Sequence, residues 1–223
     1  MFRNISISQL TLLFVAVLLF ATATLFKTPQ LVKRSDYLTP PIVVKHMAIG
    51  LNVQMADSFW LRAVQDFDYC DQQANEKECK GKSWLFQVLD LITDLDKLFM
   101  HAYHWGGLAL TIIISDFAGA TIIFDKGLAE FPNDWLLNYS AAYHSMMEEK
   151  DYPKAARRYL AAANNGAPNW VRILAGTLAE KGGDSEFAEK VVEHMIEIND
   201  DPKYIERLKL KLIDIRNKKV LSK

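Results

Sequence analysis

The sequence predicts an all-α protein: a short solenoid of stacked helical hairpins behind an apolar N-terminal helix. Three observations carry this. A phrase recurs three times, Asp116-Phe117-x-x-Ala120-x-x-x-Phe124, then Asp151-Tyr152-x-x-Ala155-x-x-x-Tyr159, then Asp184-Ser185-x-x-Ala188-x-x-x-Val192, with its alanines 35 and 33 residues apart. A period in that range marks helical hairpins that stack and bury a continuous core. Residues 10–26 read LTLLFVAVLLFATATLF, 17 residues without a charge. Finally, helix formers dominate, and no run of alternating β-branched residues is long enough for a sheet.

The N-terminal segment sets the first boundaries. Residues 1–8 form a short tail and residues 9–26 a transmembrane or signal-anchor helix, at the short limit for crossing a bilayer core. The competing reading is a cleaved export signal, because Ala21-Thr22-Ala23 has the small-x-small form of a cleavage site. Thr24-Leu25-Phe26 carries the apolar run past that site, which favours retention. Lys27, Lys33 and Arg34 follow the segment and only Arg3 precedes it, so a charge count alone favours a cytoplasmic body. A short first helix behind a small tail, and the cysteines below, favour the exported, periplasmic or extracytoplasmic, side. Residues 27–42, with Pro29, Pro40 and Pro41, read as an extended linker.

Residues 43–100 read as a degenerate helical hairpin. Residues 43–66 place Met47, Leu51, Met55 and Leu61 at helical spacing, and residues 84–97 place Leu85, Leu89 and Ile92 at theirs. Between them lies a polar stretch holding the chain's two cysteines, Cys70 and Cys79. Their expected pairing is a disulfide across the loop, contributing roughly 2–3 kcal/mol through restriction of the unfolded chain. Structural thiols are rarely left in so charged a loop, and no neighbouring His or Cys supplies a zinc site.

Residues 101–202 hold the three repeated units. Each alanine sits where two helices of a hairpin cross, and the residue four later fills the gap to the next hairpin. Asp116, Asp151 and Asp184 stand where an N-cap accepts from the orphan N–H groups of a second helix. The chain closes with residues 203–223, an amphipathic capping helix and basic tail, with Ile205, Leu208, Leu212 and Ile215 on one face. Lys209, Lys211, Arg216, Lys218 and Lys219 make its other side basic, the solvated face of a cap.

These units resemble tetratricopeptide repeats, whose pattern sets a small residue, an aromatic four later and a proline eight beyond. Ala120, Phe124 and Pro132 match without a gap; Ala155 and Tyr159 match with Pro168 one residue late. Ala188 and Val192 match with Pro202 two late, and Gly176 holds the pattern's first-helix glycine in the third unit only. The resemblance covers a little under half the chain. It implies that the first helix of each hairpin lines a concave, partner-binding face. The residues so placed are Ala102, Trp105, Ala109 and Ile112 in the first unit, and Leu137, Ser140, His144 and Met147 in the second. The third contributes Trp170, Ile173, Thr177 and Glu180.

Function follows as a class. With half its residues apolar and a net charge of −1, the chain has nothing to attract nucleic acid. No P-loop, GxGxxG, HExxH or local nucleophile–base signature is present. His101 and His104, near Asp94 and Asp96, are the nearest approach to a metal set, and helix-end charge and packing account for them better. The expectation is a non-enzymatic, cofactor-free interaction module, a membrane-tethered scaffold or assembly factor whose partners are subunits of a larger envelope complex. The alternative is an exported, chaperone-like binder of unfolded or lipidated clients, freed by signal cleavage.

Overall fold

The computed structural model describes residues 11–18, 22, 40, 43–47, 49–65 and 79–221, divided between two units, Met1–Tyr37 and Leu38–Lys223. In the first unit residues 11–18 are helical, with apolar side chains exposed around the whole circumference, from Val15 at 53% to Leu12 at 70%. Among the described residues no helix is long and apolar enough to cross a membrane. The remainder of the expected anchor, residues 9–10, 19–21 and 23–26, lies outside them.

The second unit is built of helices, with no strand among the described residues. They run α1 (Val44–Met47), α2 (Asn52–Gln65) and α3 (Trp84–Leu95). A bent helix follows, α4, made of a π turn Ala102–Gly106, an α turn Gly107–Ala109 and a second π turn Leu110–Ile114. Then come α5 (Phe117–Glu130), α6 (Trp135–His144, prolonged by a π turn Ser145–Glu149), α7 (Tyr152–Asn164), α8 (Asn169–Lys181), α9 (Ser185–Glu197) and α10 (Pro202–Leu221). Successive helices pack on one another along the chain.

The recurring phrase has a recurring geometry. Ser115, Lys150 and Gly183 adopt the left-handed conformation, at φ of 62°, 57° and 76°, and end the first helix of each hairpin. The Asp that follows caps the next helix: Asp116 accepts from Gly119 N–H at 3.1 Å, Asp151 from Lys154 at 2.9 Å and Asp184 from Phe187 at 3.1 Å. Ala120, Ala155 and Ala188 are fully buried one turn later, and Phe124, Tyr159 and Val192 are buried beneath them. Asp116 differs from its sisters. Itself buried, it also accepts from Gly81 N–H at 2.6 Å and Ser83 N–H at 3.0 Å, so it fastens the chain after Cys79 to the start of α5.

First helices meet first helices, and second meet second. His104 of α4 bonds Ser140 of α6 at 2.9 Å, and Tyr139 of α6 meets Trp170 of α8 edge-on, ring centres 5.8 Å apart. In the other row Lys126 of α5 pairs with Asp90 and Asp94 of α3, at 2.8 and 2.9 Å, and Arg158 of α7 pairs with Asp125 of α5. Glycines let α4 approach both neighbours. A Cβ on Gly106 would lie 2.7 Å from Leu89, and one on Gly107 2.6 Å from Phe124.

Two expectations need correction. The stretch 43–66 is broken in two, because Ile49 and Gly50 both take positive φ. Leu51 and Leu61, expected to pack, are exposed, and α2 buries Ala56 and Ala63 instead. The basic side of the last helix is not simply solvated: Lys211 and Lys218 reach Glu180, and Arg216 pairs with Glu189 and Glu193, both at 2.6 Å. Leu208 and Ile215 are buried below this ion-pair lattice. Cys79 is disulfide-bonded; Cys70, its expected partner, lies outside the described residues.

Candidate functional site

An apolar groove of about 480 Å³ opens between α2 and α4. Trp60 and Val64 form one wall; Trp105, Ala109, Ile112 and Ile113 form the other, and Leu85 and Leu89 of α3 back the floor. The groove exists because of how α4 is built. Its two π turns hold a wider spiral than an α-helix. Gly106 and Gly107 let it sit tightly on α3 and α5 at one side, and Trp105, Ile112 and Ile113 line the groove at the other. Trp105 is 56% exposed and Ile112 63%. None of the lining side chains ionises.

The sequence-derived face divides in four. Trp105, Ala109 and Ile112 line the groove together. Trp170, Ile173 and Thr177 are exposed on α8 and Met147 on α6, so these remain surface. Trp170 is 51% exposed even with its edge against Tyr139. Ala102, Leu137, Ser140 and His144 are buried, and the expectation that they line an open face is corrected. Position along α6 explains three of the four. It is the middle helix of its row, and its polar positions are matched across the joint: Ser140 to His104, His144 to Thr111. Glu180 is committed to Lys211 and Lys218 of α10.

Behind this face runs a buried polar chain. His144 Nδ1 lies 2.9 Å from Thr111 Oγ1 and Nε2 lies 3.0 Å from Thr121 Oγ1; Thr121 reaches Glu149 at 2.8 Å, as does Lys154. An ionised carboxylate only accepts. Thr121 therefore donates to Glu149 and accepts from His144 Nε2–H, leaving Nδ1 facing the Thr111 hydroxyl, whose one hydrogen also has the Gly107 carbonyl at 2.9 Å. Burial pushes the imidazole down to about 4, against the pull of Glu149. Burial works to raise the Glu149 carboxyl, but hydrogen bonds from Lys154 and Thr121 outweigh it and bring the group to about 2. His104 is likewise lowered by burial. This His–Thr–Glu chain has acid–base groups in sequence, but its imidazole is fully buried and only the Thr121–Glu149 end reaches the surface. Its chemistry is to lock α4, α5 and α6 together. Asp94 is held by Lys126 and Lys45, and no three His, Cys, Asp or Glu side chains converge on a metal-sized site among the described residues.

Sequence reasoning missed Trp60, Val64 and Ile113. The available signal was the apolar residues Val53, Trp60 and Val64 recurring down one side of α2. Val53 and Val64 are exposed and Trp60 is half-buried, because α3 packs on the other side of α2.

The described residues form an all-α bundle carrying an exposed apolar surface. Compared with known proteins, the chain matches no family model, no curated protein and no solved structure.

Proposed function

We propose that this chain is a membrane-tethered interaction module of the tetratricopeptide type, a scaffold or assembly factor that binds protein subunits through its first helices. The observation that carries the reading is the uncharged groove beside Trp105 and Ile112, together with the separately exposed Trp170 and Ile173 of α8. Soluble domains seldom leave large apolar patches open unless something covers them, and tryptophans carry a disproportionate share of interface energy. The recurring αL–Asp–Ala geometry and the two rows of helices support the repeat assignment. The tether rests on the uncharged run 10–26 and on the apolar circumference of residues 11–18.

The test is the size of the particle released from native membranes by mild detergent. Wild-type protein runs in a complex larger than its own 25.4 kDa plus micelle, and Ile173→Glu, on an exposed site, shifts it toward the free chain. N-terminal sequencing of the same material starts at or before residue 9. A start at Thr24 removes the tether and leaves the soluble binder of unfolded or lipidated clients. A free wild-type chain refutes the scaffold.

A further inference from the structure

We infer that the groove between α2 and α4 seats a helix from another protein, one presenting an uncharged apolar stripe two turns long. The inference rests on the interaction-module reading and names its partner. It starts from a difference between two joints of the same row. Where α4 meets α6, the first helices close on each other through His104–Ser140 and Thr111–His144. Where α2 meets α4, each packs on α3 instead and a slot is left between them. The slot has the form a helix fills: two helical walls over a helical floor.

Size and charge specify the occupant. The α4 wall runs from Trp105 to Ile113, roughly 12 Å at the rise of an α-helix, or about two turns. An entering helix would present apolar side chains at i, i+3 or i+4, and i+7. The stripe must be uncharged, because no lining side chain ionises and the acids of the floor helix are already engaged. Asp90 and Asp94 are paired with Lys126, and Asp94 also with Lys45 at 3.4 Å. An acyl chain is the smaller alternative. It would fill the slot and leave wet the outer parts of its wall, where Trp105 is 56% exposed and Ile112 63%. A helix covers both at once.

The experiment uses the full chain in lipid nanodiscs and a fluorescein-labelled 18-residue peptide, with leucines at helical spacing on a Lys/Glu background. The control peptide has the same composition with its leucines alternating. Fluorescence anisotropy is expected to show saturable binding of the helical peptide at least tenfold tighter than of the control. Ile112→Glu and Val64→Glu, one on each wall, should each weaken it at least tenfold with helical content and melting unchanged. Ile198→Glu, exposed elsewhere on the body, should leave it unaltered. Absence of saturable binding, equal binding of both peptides, or insensitivity to both wall changes overturns the inference. Displacement of the peptide by cis-parinaric acid reassigns the slot to an acyl chain. Wall-dependent self-association of peptide-free nanodiscs reassigns it to a second copy. If the peptide fails while the native membrane complex persists, the helix inference falls and the module reading stands. Failure of both fells both.

Discussion

Asp116 offers a sharp test of the repeat geometry, because the same residue type does three different amounts of work at equivalent positions. Asp151 is an exposed cap with one backbone donor, Lys154. Asp184 caps Phe187 and faces Arg157 at 3.5 Å. Asp116 is buried and accepts from Gly119, Gly81 and Ser83. Removal of an N-cap costs about 0.5–2 kcal/mol, which is the whole expectation for Asp151→Ala. Asp116→Ala loses the cap and two further bonds to an ionised acceptor, each worth about 1.5–3 kcal/mol. It also strands the Gly81 and Ser83 N–H groups. The expected loss is about 3.5–8 kcal/mol, a fall of melting temperature of roughly 7–32 °C at the 2–4 °C per kcal/mol usual for this size. Asp116→Asn keeps one acceptor oxygen but turns an NH₂ toward a donor, and falls between. The assay is urea unfolding followed by far-UV circular dichroism, with the disulfide intact in every variant. If Asp116→Ala and Asp151→Ala differ by less than about 1 kcal/mol, the cross-link from the chain after Cys79 to α5 is not what holds that joint.

Three other outcomes follow from the packing. Gly107→Ala should destabilise by about 1–3 kcal/mol through overpacking, its Cβ meeting Phe124 at 2.6 Å. Gly176→Ala meets Val191 only at 3.4 Å and should be neutral or stabilising through helix propensity, again by urea unfolding. His144 is lowered from 6.5 to about 4 by burial, so the unfolded state takes the proton first as pH falls. Its contribution is complete above pH 6.5 and declines toward pH 4, by about 2 kcal/mol at pH 4.5. Glu149, ordinarily 4.5 and held at about 2, adds its own loss only below pH 4.5. Urea midpoints between pH 7 and 4.5 should therefore drop in the wild type and drop less in His144→Gln; parallel slopes refute the assignment. Trp170→Ala, with half the ring in solvent, should lower stability by about 1 kcal/mol and abolish partner capture. A loss of about 3–5 kcal/mol would mark the residue as core.

What the sequence made legible was local and repeated. The Asp–x–x–x–Ala spacing located the caps and the buried alanines because both are set within one turn, where neighbours along the chain decide the environment. The apolar face of α10 was readable for the same reason: Leu208 and Ile215 lie on one stripe of an uninterrupted helix. Legibility failed where a distant element decides. Ser140 and His144 were expected on an open face from their place in the repeat register, but their partners come from α4, 36 and 33 residues away in the chain. Leu51 and Leu61 keep helical spacing, yet both are exposed, because α2 turns its Ala56 and Ala63 side inward, a choice made by α3 and not by neighbours along the chain. The groove needed both faults corrected, since it forms between α2 and a π-wound α4.

The central claim is that the apolar side of the first helices is the working surface. It is tested most directly by site-specific photocrosslinking in native membranes, with a benzophenone side chain placed in turn at Ile112, Ile173, Lys190 and Lys209. All four positions are exposed. The account predicts a covalent adduct of one discrete mass from Ile112 and Ile173, and none from Lys190 and Lys209 on the outer and capping helices. Adducts from Lys190 and Lys209 alone, or an unselective smear from every position, would contradict it.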